Sequence, residues 1–285
     1  MEYIIKSFND YIEILRSYKS KHSEEIWYRG QNNSDWKLEP NIYRNKKPDI
    51  EPNAISTLRY KTPDFMKEYK EFKEKIKKDN LFNIENLNDF QILFLGQHYG
   101  LLTPVLDWTI DPLVALFFAL DGYIYNKQTY PVIYLLKPGL CNRYCGKVWA
   151  NNKFITEPIC IDGKELGGYF EQWIKELEEP VSPAPIALTT KMEYSFRISR
   201  QSGNFTLHSA IQPLSYEWYN TTIQEEKFAD KILIQPDSVE QMKESLSVLN
   251  INKDTIYKMD SDKLDDECSR IKKQAQELFG NTLNS

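Results

Sequence analysis

Three segments of the sequence bring together side chains that can bind anions or move protons. In the first, Trp27-Tyr28-Arg29-Gly30-Gln31, bulky β-prone residues are followed by an arginine and a glycine. We expect Arg29 to stand at the end of a strand as a planar cation, with Gly30 leaving room for a ligand. Such a group suits a phosphate or pyrophosphate. The alternative is a structural pair between Arg29 and a carboxylate such as Asp107.

The second segment, residues 96–112, places an imidazole, a carboxylate, an indole and a hydroxyl ahead of an apolar run. His98 either carries a proton or contacts a ligand, or it only caps the end of a helix. Asp107 either orients Arg29 or His98, or it caps the turn that follows. From this segment we select His98 and Asp107 as catalytic candidates, and Gln97, Trp108 and Thr109 as ligand-binding candidates.

The third segment, residues 197–208, has the alternation of a strand. Arg197, Ser199 and Gln201 fall on one face, which either lines a cleft or meets solvent. From the first and third segments we select Gln201 as a catalytic candidate, and Tyr28, Arg29, Gly30, Gln31, Arg197 and Phe205 as ligand-binding candidates.

Helices are predicted around these segments from apolar spacings of three and four residues. One covers residues 8–18 with Ser7 as its N-cap, and another follows Thr62-Pro63 with a stripe of Phe65, Tyr69, Phe72 and Ile76. A third covers residues 88–99. Asp111 and Pro112 begin a fourth helix, whose run 113–120 is apolar on all sides and is expected at the centre of the core.

Strands are predicted at residues 26–28, 131–136 and 232–234, and two more within residues 196–208, around a turn at 202–204. The polar stretch 31–53 is interpreted as a long loop crossing the mouth of a site. A capping box from Ser238 to Gln241 and a last helix over residues 264–278 close the chain. We expect an α+β core over residues 1–220, with a C-terminal strand and helices over residues 221–285 packed on it as one globular unit.

Composition narrows the class of protein. Apolar residues make up 41%, charged residues 27% and aromatic residues 13%, which excludes a disordered or fibrous chain. The net charge of −5 disfavours broad binding of nucleic-acid backbones or anionic lipid. We expect a soluble cytoplasmic protein with no membrane segment and reduced cysteines. Its four cysteines lack CxxC spacing and its three histidines lie far apart, so no metal site is predicted.

The three segments together resemble the FRG domain, a bacterial and phage-associated family named for an aromatic-Arg-Gly motif. Further matching positions are Trp36, Leu38, Pro40, Arg44, Gln97-His98-Tyr99-Gly100-Leu101, Leu106-Asp107-Trp108-Thr109, Pro112, Ala115, Phe117-Phe118-Ala119, Arg197-Ile198, Gln201, Gly203 and Phe205. The C-terminal helices look similar too, so the resemblance spans nearly the whole chain. One departure is Leu102-Thr103-Pro104-Val105, where the family usually carries Pro-Thr-Arg-Leu, so a second arginine is missing.

A more distant resemblance is to the ADP-ribosyltransferases. It implies an α+β fold with a mixed or antiparallel sheet core of that type, flanking helices and a C-terminal helical segment. Those enzymes carry a glutamate on their third strand, and the corresponding position here is Arg197. Without a carboxylate, glycosidic cleavage loses its main electrostatic stabiliser, so Glu193 or Asp107 would have to substitute.

These resemblances imply that the protein handles a nucleotide, with NAD as the candidate substrate and no required cofactor. As an enzyme, it would transfer ADP-ribose or hydrolyse NAD as a toxin or phage-defence effector acting on a macromolecular target. The alternative is a non-catalytic module that binds a nucleotide, a nucleic acid or a protein partner. A third interpretation is purely structural, with Arg29, Asp107 and His98 forming a buried network.

Overall fold

The structure is a computed structural model that describes most of the chain. The described residues are 2–44, 48–50, 57–60, 65–78, 86–98, 101–145, 156–162, 170–176, 185–191, 204–208, 211–213, 222–223 and 226–257.

Strands and helices are mixed along the sequence. The strands are β1 (Glu2–Ile5), β2 (Trp27–Gln31), β3 (Pro48–Ile50), β4 (Thr57–Tyr60), β5 (Val105–Trp108), β6 (Val132–Leu136), β7 (Ile159–Cys160), β8 (Ile186–Thr189), β9 (Asn204–Leu207), β10 (Ile211–Pro213), β11 (Thr222–Ile223), β12 (Glu226–Lys227) and β13 (Ala229–Ile234). The helices are α1 (Phe8–Lys21), α2 (Phe65–Lys78), α3 (Asp89–His98), α4 (Pro112–Leu120), α5 (Pro138–Cys145), α6 (Phe170–Glu176), α7 (Val239–Val248) and α8 (Lys253–Ile256).

Two four-stranded mixed sheets organise the fold. The first has the order β1-β13-β6-β2, in which β1 and β13 are parallel and the other pairs antiparallel. The second has the order β5-β9-β8-β7, in which only β7 and β8 are parallel. A small antiparallel sheet, β10-β4-β3, and the two-stranded β11-β12 complete the described pairings. The mixed α+β class predicted from the sequence is therefore confirmed.

The first sheet is buried on both faces, as its alternating residues show. Trp27, Tyr134 and Leu136 belong to one hydrophobic cluster, which also contains residues of α2, α3 and the second sheet. Tyr28 and Leu135 belong to another, formed with α1, α4 and α7. Burial on both faces explains the continuous apolar run of β6, since neither set of side chains meets water.

Helix α4 packs directly on β2. A Cβ atom at Gly30 would lie 2.5 Å from the amide nitrogen of Ala119 and closer still to the carbonyl oxygen of Ala115. A side chain at position 30 would therefore clash with α4, so helix packing by itself accounts for this glycine. The backbone conformation at position 30 does not require a glycine, since among the described glycines only Gly122 has a positive φ.

Several predicted helices form, and two of them begin at the predicted N-caps. Ser7 caps α1 by accepting a hydrogen bond from Asp10 N at 3.1 Å, and Asp111 caps α4 through Leu113 N at 2.8 Å. The stripe of α2 is buried as expected. No described helix has the length and apolar character needed to cross a membrane.

Other expectations were wrong in detail. Strand β2 continues through Gly30 to Gln31, so Arg29 lies in the middle of the strand, opposite Tyr134. Helix α5 begins at Pro138, directly after β6, because proline is favoured in a first helical turn. Ser238 makes no side-chain cap to α7, so the capping box does not form. Within the predicted loop 31–53, residues 48–50 form strand β3.

The C-terminal part of the chain enters the first sheet, since β13 lies between β1 and β6. Strand β1 was not predicted. Its four residues are too few for a periodic signal, and they are stabilised by parallel pairing with β13, more than 220 residues away in sequence. The expected helix over residues 264–278, the Thr62-Pro63 cap and the first strand of the segment 196–208 lie outside the described residues.

Candidate functional site

The edges of the two large sheets meet at a single point. Strand β2 is the last strand of the first sheet and β5 the first strand of the second. An isolated antiparallel bridge joins them, in which Tyr28 N donates to Thr109 O at 2.7 Å and Thr109 N donates to Tyr28 O at 2.9 Å.

A cavity of about 750 Å³ lies beside this bridge, within the size range of small-molecule sites. The sequence-predicted candidates that line it are Tyr28, Arg29, Gly30, Gln31, Gln97, Asp107, Trp108, Thr109 and Phe205. These residues come from three distant parts of the chain, and the facing sheet edges bring them together. His98 is the last residue of α3, but its side chain is not described, and Arg197 and Gln201 lie outside the described residues.

Arg29 links the two sheets across the cavity. Its Nη1 donates to the main-chain oxygen of Asp107 at 2.7 Å. Its Nε is buried and has no hydrogen-bond partner within the described part of the chain. Burial lowers the pKa of Arg29 to about 10, against the opposing effect of the nearby Asp107 carboxylate. The guanidinium therefore remains charged at neutral pH.

Gln31 presents a second unsatisfied atom on the same face of β2. Side chains two residues apart on a strand lie on one side, so Gln31 follows Arg29 along the cavity. Gln31 donates from Nε2 to Trp36 O at 3.3 Å, but its buried Oε1 has no partner among the described residues. A buried donor and a buried acceptor thus line one cavity, where an unmade hydrogen bond costs about 1–3 kcal/mol each.

Asp107 is positioned by its neighbours. Gln97 Nε2 donates to Asp107 Oδ1 at 2.7 Å, and Thr103 Oγ1 in turn donates to Gln97 Oε1. Because both ends of the Gln97 amide are engaged, Gln97 is placed to hold the Asp107 carboxylate rather than to bind a ligand by itself.

Arg44 adds a second guanidinium. It donates from Nε to Glu39 O at 3.2 Å, and its charge lowers the pKa of Arg29 further. Burial also lowers the pKa of Arg44, while Asp107 and Glu39 oppose this effect. The lining side chains comprise three cations (Arg29, Lys37 and Arg44) and three carboxylates (Asp35, Glu39 and Asp107). Recognition of an anion would therefore rest on specific contacts rather than on a broad positive field.

Aromatic rings form much of the wall. Phe94 of α3 and Phe205 of β9 stack with ring centroids 3.7 Å apart and planes inclined by 15°. Trp108 donates from Nε1 to Thr206 Oγ1 at 2.8 Å. Trp36 also lines the cavity, and its side chain is 55% exposed. Tyr28 also borders the cavity, but its side chain belongs to the cluster around α4.

The loop after β2 supplies lining residues that were not selected from the sequence. It contributes Asn32, Asp35, Trp36, Lys37, Glu39 and Arg44. Asn32 Nδ2 donates to Asp121 O at 2.9 Å and Asn41 Nδ2 to Leu101 O at 3.3 Å, which fastens the loop across the cavity. The polar composition predicted that a loop would cross a site, but not which of its side chains would face inward. Phe94, Ala115, Phe118 and Asn204 were also missed, since their types are ordinary for a core.

Comparison with known families decides one of the sequence-based expectations. Residues 24–128 match the family model of the FRG domain. The matched segment includes β2, the loop after it, α3, β5 and α4, and hence all of the cavity lining except Asn204 and Phe205. The predicted resemblance is thus confirmed over this range. No curated protein and no solved structure shows significant similarity to the chain.

Among the described residues, no group of three or more histidine, cysteine, aspartate or glutamate side chains is arranged to hold a metal ion. The cavity is lined by guanidinium, carboxylate, amide and aromatic groups.

Proposed function

We propose that this protein binds a nucleotide of the NAD class in the cavity between β2 and β5. The observation that carries this proposal is the pair of unsatisfied buried atoms, Arg29 Nε and Gln31 Oε1, on one face of a strand that lines the cavity. A donor and an acceptor kept out of water require partners, and a ligand with both phosphate oxygens and polar hydrogens supplies them.

Each part of a dinucleotide finds a matching group. Arg29 and Arg44 contact the pyrophosphate, because the planar guanidinium suits phosphate oxygens and each arginine lowers the cost of placing an anion there. The exposed ring of Trp36 stacks on a base. The main-chain groups of Tyr28 point to β5, so those of Gly30, two residues on, point to the same side and are available to a carboxamide.

The reaction we propose is transfer of ADP-ribose to a macromolecular target, or hydrolysis of NAD, on an ADP-ribosyltransferase-like fold. In either reaction the bond between ribose C1′ and the nicotinamide nitrogen breaks, and positive charge develops on the ribose. Asp107 is the proposed carboxylate that stabilises this charge, since it lies beside Arg29 and is oriented by Gln97. The protein would then act as a toxin or phage-defence effector.

A second candidate is a non-catalytic nucleotide-binding module. The hydrogen bonds from Thr103 to Gln97 and from Gln97 to Asp107 favour this candidate, because a carboxylate already held by an amide is suited to positioning other groups. Under this candidate Asp107 fixes Arg29 through its main chain, and the nucleotide leaves unchanged.

The experiment for binding is calorimetric titration of NAD into wild type, Arg29→Lys and Arg16→Lys. Arg16 is an exposed arginine of α1 outside the cavity, so it controls for the substitution itself. We expect Arg29→Lys to lower the affinity for NAD at least tenfold, because lysine cannot reproduce the planar, forked guanidinium. Arg16→Lys should bind NAD as wild type does. Equal affinities in the three proteins, or no binding at all, would refute the proposed site.

Turnover is tested separately by nicotinamide release from NAD, with and without cell lysate as a source of targets. We expect Asp107→Asn to lose release and to retain NAD binding, while Asp254→Asn, at an exposed carboxylate of α8 outside the cavity, retains both. Binding by wild type without any release would establish the second candidate.

A further inference from the structure

Behind the cavity wall lies a chain of three hydrogen-bonded side chains. Trp108 of β5 donates from Nε1 to Thr206 Oγ1 of the paired strand β9 at 2.8 Å. The same Oγ1 lies 2.8 Å from Nε2 of His208, which follows β9. Thr206 is fully buried and His208 is 2% exposed, so water does not compete for these bonds.

The directions of these bonds follow from the donors present. An indole nitrogen can only donate, so Thr206 Oγ1 accepts from Trp108. In the tautomer whose Nε2 carries no hydrogen, the hydroxyl of Thr206 donates to Nε2 and the imidazole proton lies on Nδ1. This arrangement requires a neutral histidine. Burial and the nearby charge of Arg29 both lower the pKa of His208, to about 3, which keeps the ring neutral at physiological pH.

The hydrogen bond of the Trp108 indole does not by itself account for a buried histidine at position 208. Thr206 by itself would satisfy the Trp108 nitrogen, and a buried histidine beside a cation is costly to retain. When the Thr206 hydroxyl donates to Nε2 of His208, the orientation of the hydroxyl is fixed. A lone pair of Thr206 Oγ1 is then directed to the indole nitrogen. The main chain of His208 is also fixed, since its N donates to Pro104 O at 2.8 Å and its O accepts from Tyr43 Oη at 3.2 Å.

We propose that Thr206 and His208 are positioning residues that fix the Trp108 ring, which is 2% exposed, beneath the cavity lining as a support for the residues that contact a bound nucleotide. This inference rests on the proposed function for the identity of the ligand. The orientation of the indole, however, is a property of the protein without ligand and can be measured by itself.

The test compares Thr206→Val, which removes the hydroxyl at nearly constant shape, with Thr206→Ser, which restores it. Thr190→Val is the matched control, because Thr190 is also buried and also donates to a side chain, that of Asp162, away from the cavity. The protein is labelled with 5-fluorotryptophan, and the Trp108 resonance is assigned among the six tryptophans by its loss in Trp108→Phe.

We expect the Trp108 resonance to shift or broaden in Thr206→Val and in His208→Leu, and to return to its place in Thr206→Ser. We expect NAD affinity to fall about tenfold in the same two variants, equivalent to about 1.4 kcal/mol, and to recover with serine. Thr190→Val should alter neither.

Two results would overturn the inference while leaving the proposed function intact. One is an unmoved Trp108 resonance in Thr206→Val, and the other is a moved resonance with wild-type NAD affinity. If wild type does not bind NAD, the proposed function fails, and with it the role toward a ligand, while the fluorine spectra still decide whether Thr206 and His208 orient the indole.

Discussion

Arg29 Nη1 donates to the main-chain oxygen of Asp107 across the junction of the two sheets, at a distance of 2.7 Å. The two residues lie on edge strands of different sheets, β2 and β5, which are otherwise joined by the bridge between Tyr28 and Thr109. Arg29 therefore has one atom that holds the cavity together and another, Nε, that remains without a partner among the described residues. The structural contact of Arg29 and its proposed contact with a ligand therefore involve different atoms of the same side chain.

Replacement of Arg29 separates these roles. We expect Arg29→Met, which keeps the length of the side chain, to lower the free energy of unfolding by about 1–3 kcal/mol through the lost hydrogen bond, and to leave the protein folded. Chemical denaturation monitored by circular dichroism measures this, with Arg16→Met as the exposed control. Complete unfolding of Arg29→Met would instead support a purely structural network, whose loss costs about 3–5 kcal/mol.

Helix α4 leaves no room for a side chain at Gly30. We expect Gly30→Ala to destabilise the protein by about 1–3 kcal/mol, because the added methyl group meets the backbone of Ala115 and Ala119, which cannot move alone. Gly96→Ala is the comparison, since its nearest contact is the end of the flexible Leu101 side chain at 2.9 Å, and the helix gains from alanine. Thermal melts should rank Gly30→Ala as the less stable. The reverse order would contradict the described packing of α4 on β2.

His208 should make stability fall in acid. Its folded pKa of about 3 lies below the ordinary value of 6.5, so the unfolded state binds the proton first as the pH drops from 6.5 toward 3. Stability is then lost by up to about 1.4 kcal/mol per pH unit, or about 2 kcal/mol between pH 7 and 5. The groups near this ring include the Arg29 cation, whose charge also lowers the pKa of His208, and the Thr206 hydroxyl.

Urea denaturation at pH 7 and pH 5 measures this dependence. The variant His208→Gln lacks the titrating group, so its stability should change less between the two pH values than that of wild type. An identical loss in both proteins would show that other groups, such as the carboxylates, account for the acid sensitivity.

A contact from the C-terminal region supports the cavity wall. Tyr257 Oη donates to Asp121 Oδ2 at 2.7 Å, and the main-chain oxygen of Asp121 accepts from Asn32, which lines the cavity. The Tyr257 ring also lies 6.2 Å from that of Phe118, another lining residue. We expect Tyr257→Phe to lower the free energy of unfolding by about 0.5–1.5 kcal/mol and to lower the affinity for NAD severalfold.

The matched control for this contact is Tyr125→Phe. Tyr125 also donates to a carboxylate, Asp237 Oδ1 at 2.8 Å, but this pair is exposed and away from the cavity. Melting curves and NAD titration of both variants should show an effect for Tyr257 and little for Tyr125. Equal effects of the two substitutions would mean that the contact of Asp121 with Tyr257 has no specific effect on NAD binding in the cavity.

Features that depend on residues close together in sequence were predicted correctly. The stripe of α2 and the Asp111 cap of α4 follow from side-chain spacing and capping within a few residues, and both form as predicted. A contact between Arg29 and Asp107 was one of the alternatives predicted from the sequence, and both residues line one cavity. Spacing alone could not have placed them together, because they lie on different sheets.

Other features depend on distant parts of the chain. Strand β2 passes through Gly30 because α4 requires a residue without a side chain there, whereas glycine in a sequence usually indicates the end of a strand. The partner of Gln97 is Asp107, ten residues later, through a turn whose geometry no periodicity specifies. The roles selected for His98, Arg197 and Gln201 stay predictions.

The most direct test of the central claim is a crystal structure of the protein with NAD or ADP-ribose bound. The account predicts that the pyrophosphate lies between β2 and β5, with a phosphate oxygen within about 3.2 Å of the Arg29 guanidinium and a polar group of the ligand at Gln31 Oε1. A ligand bound elsewhere, with this cavity unchanged, would contradict it.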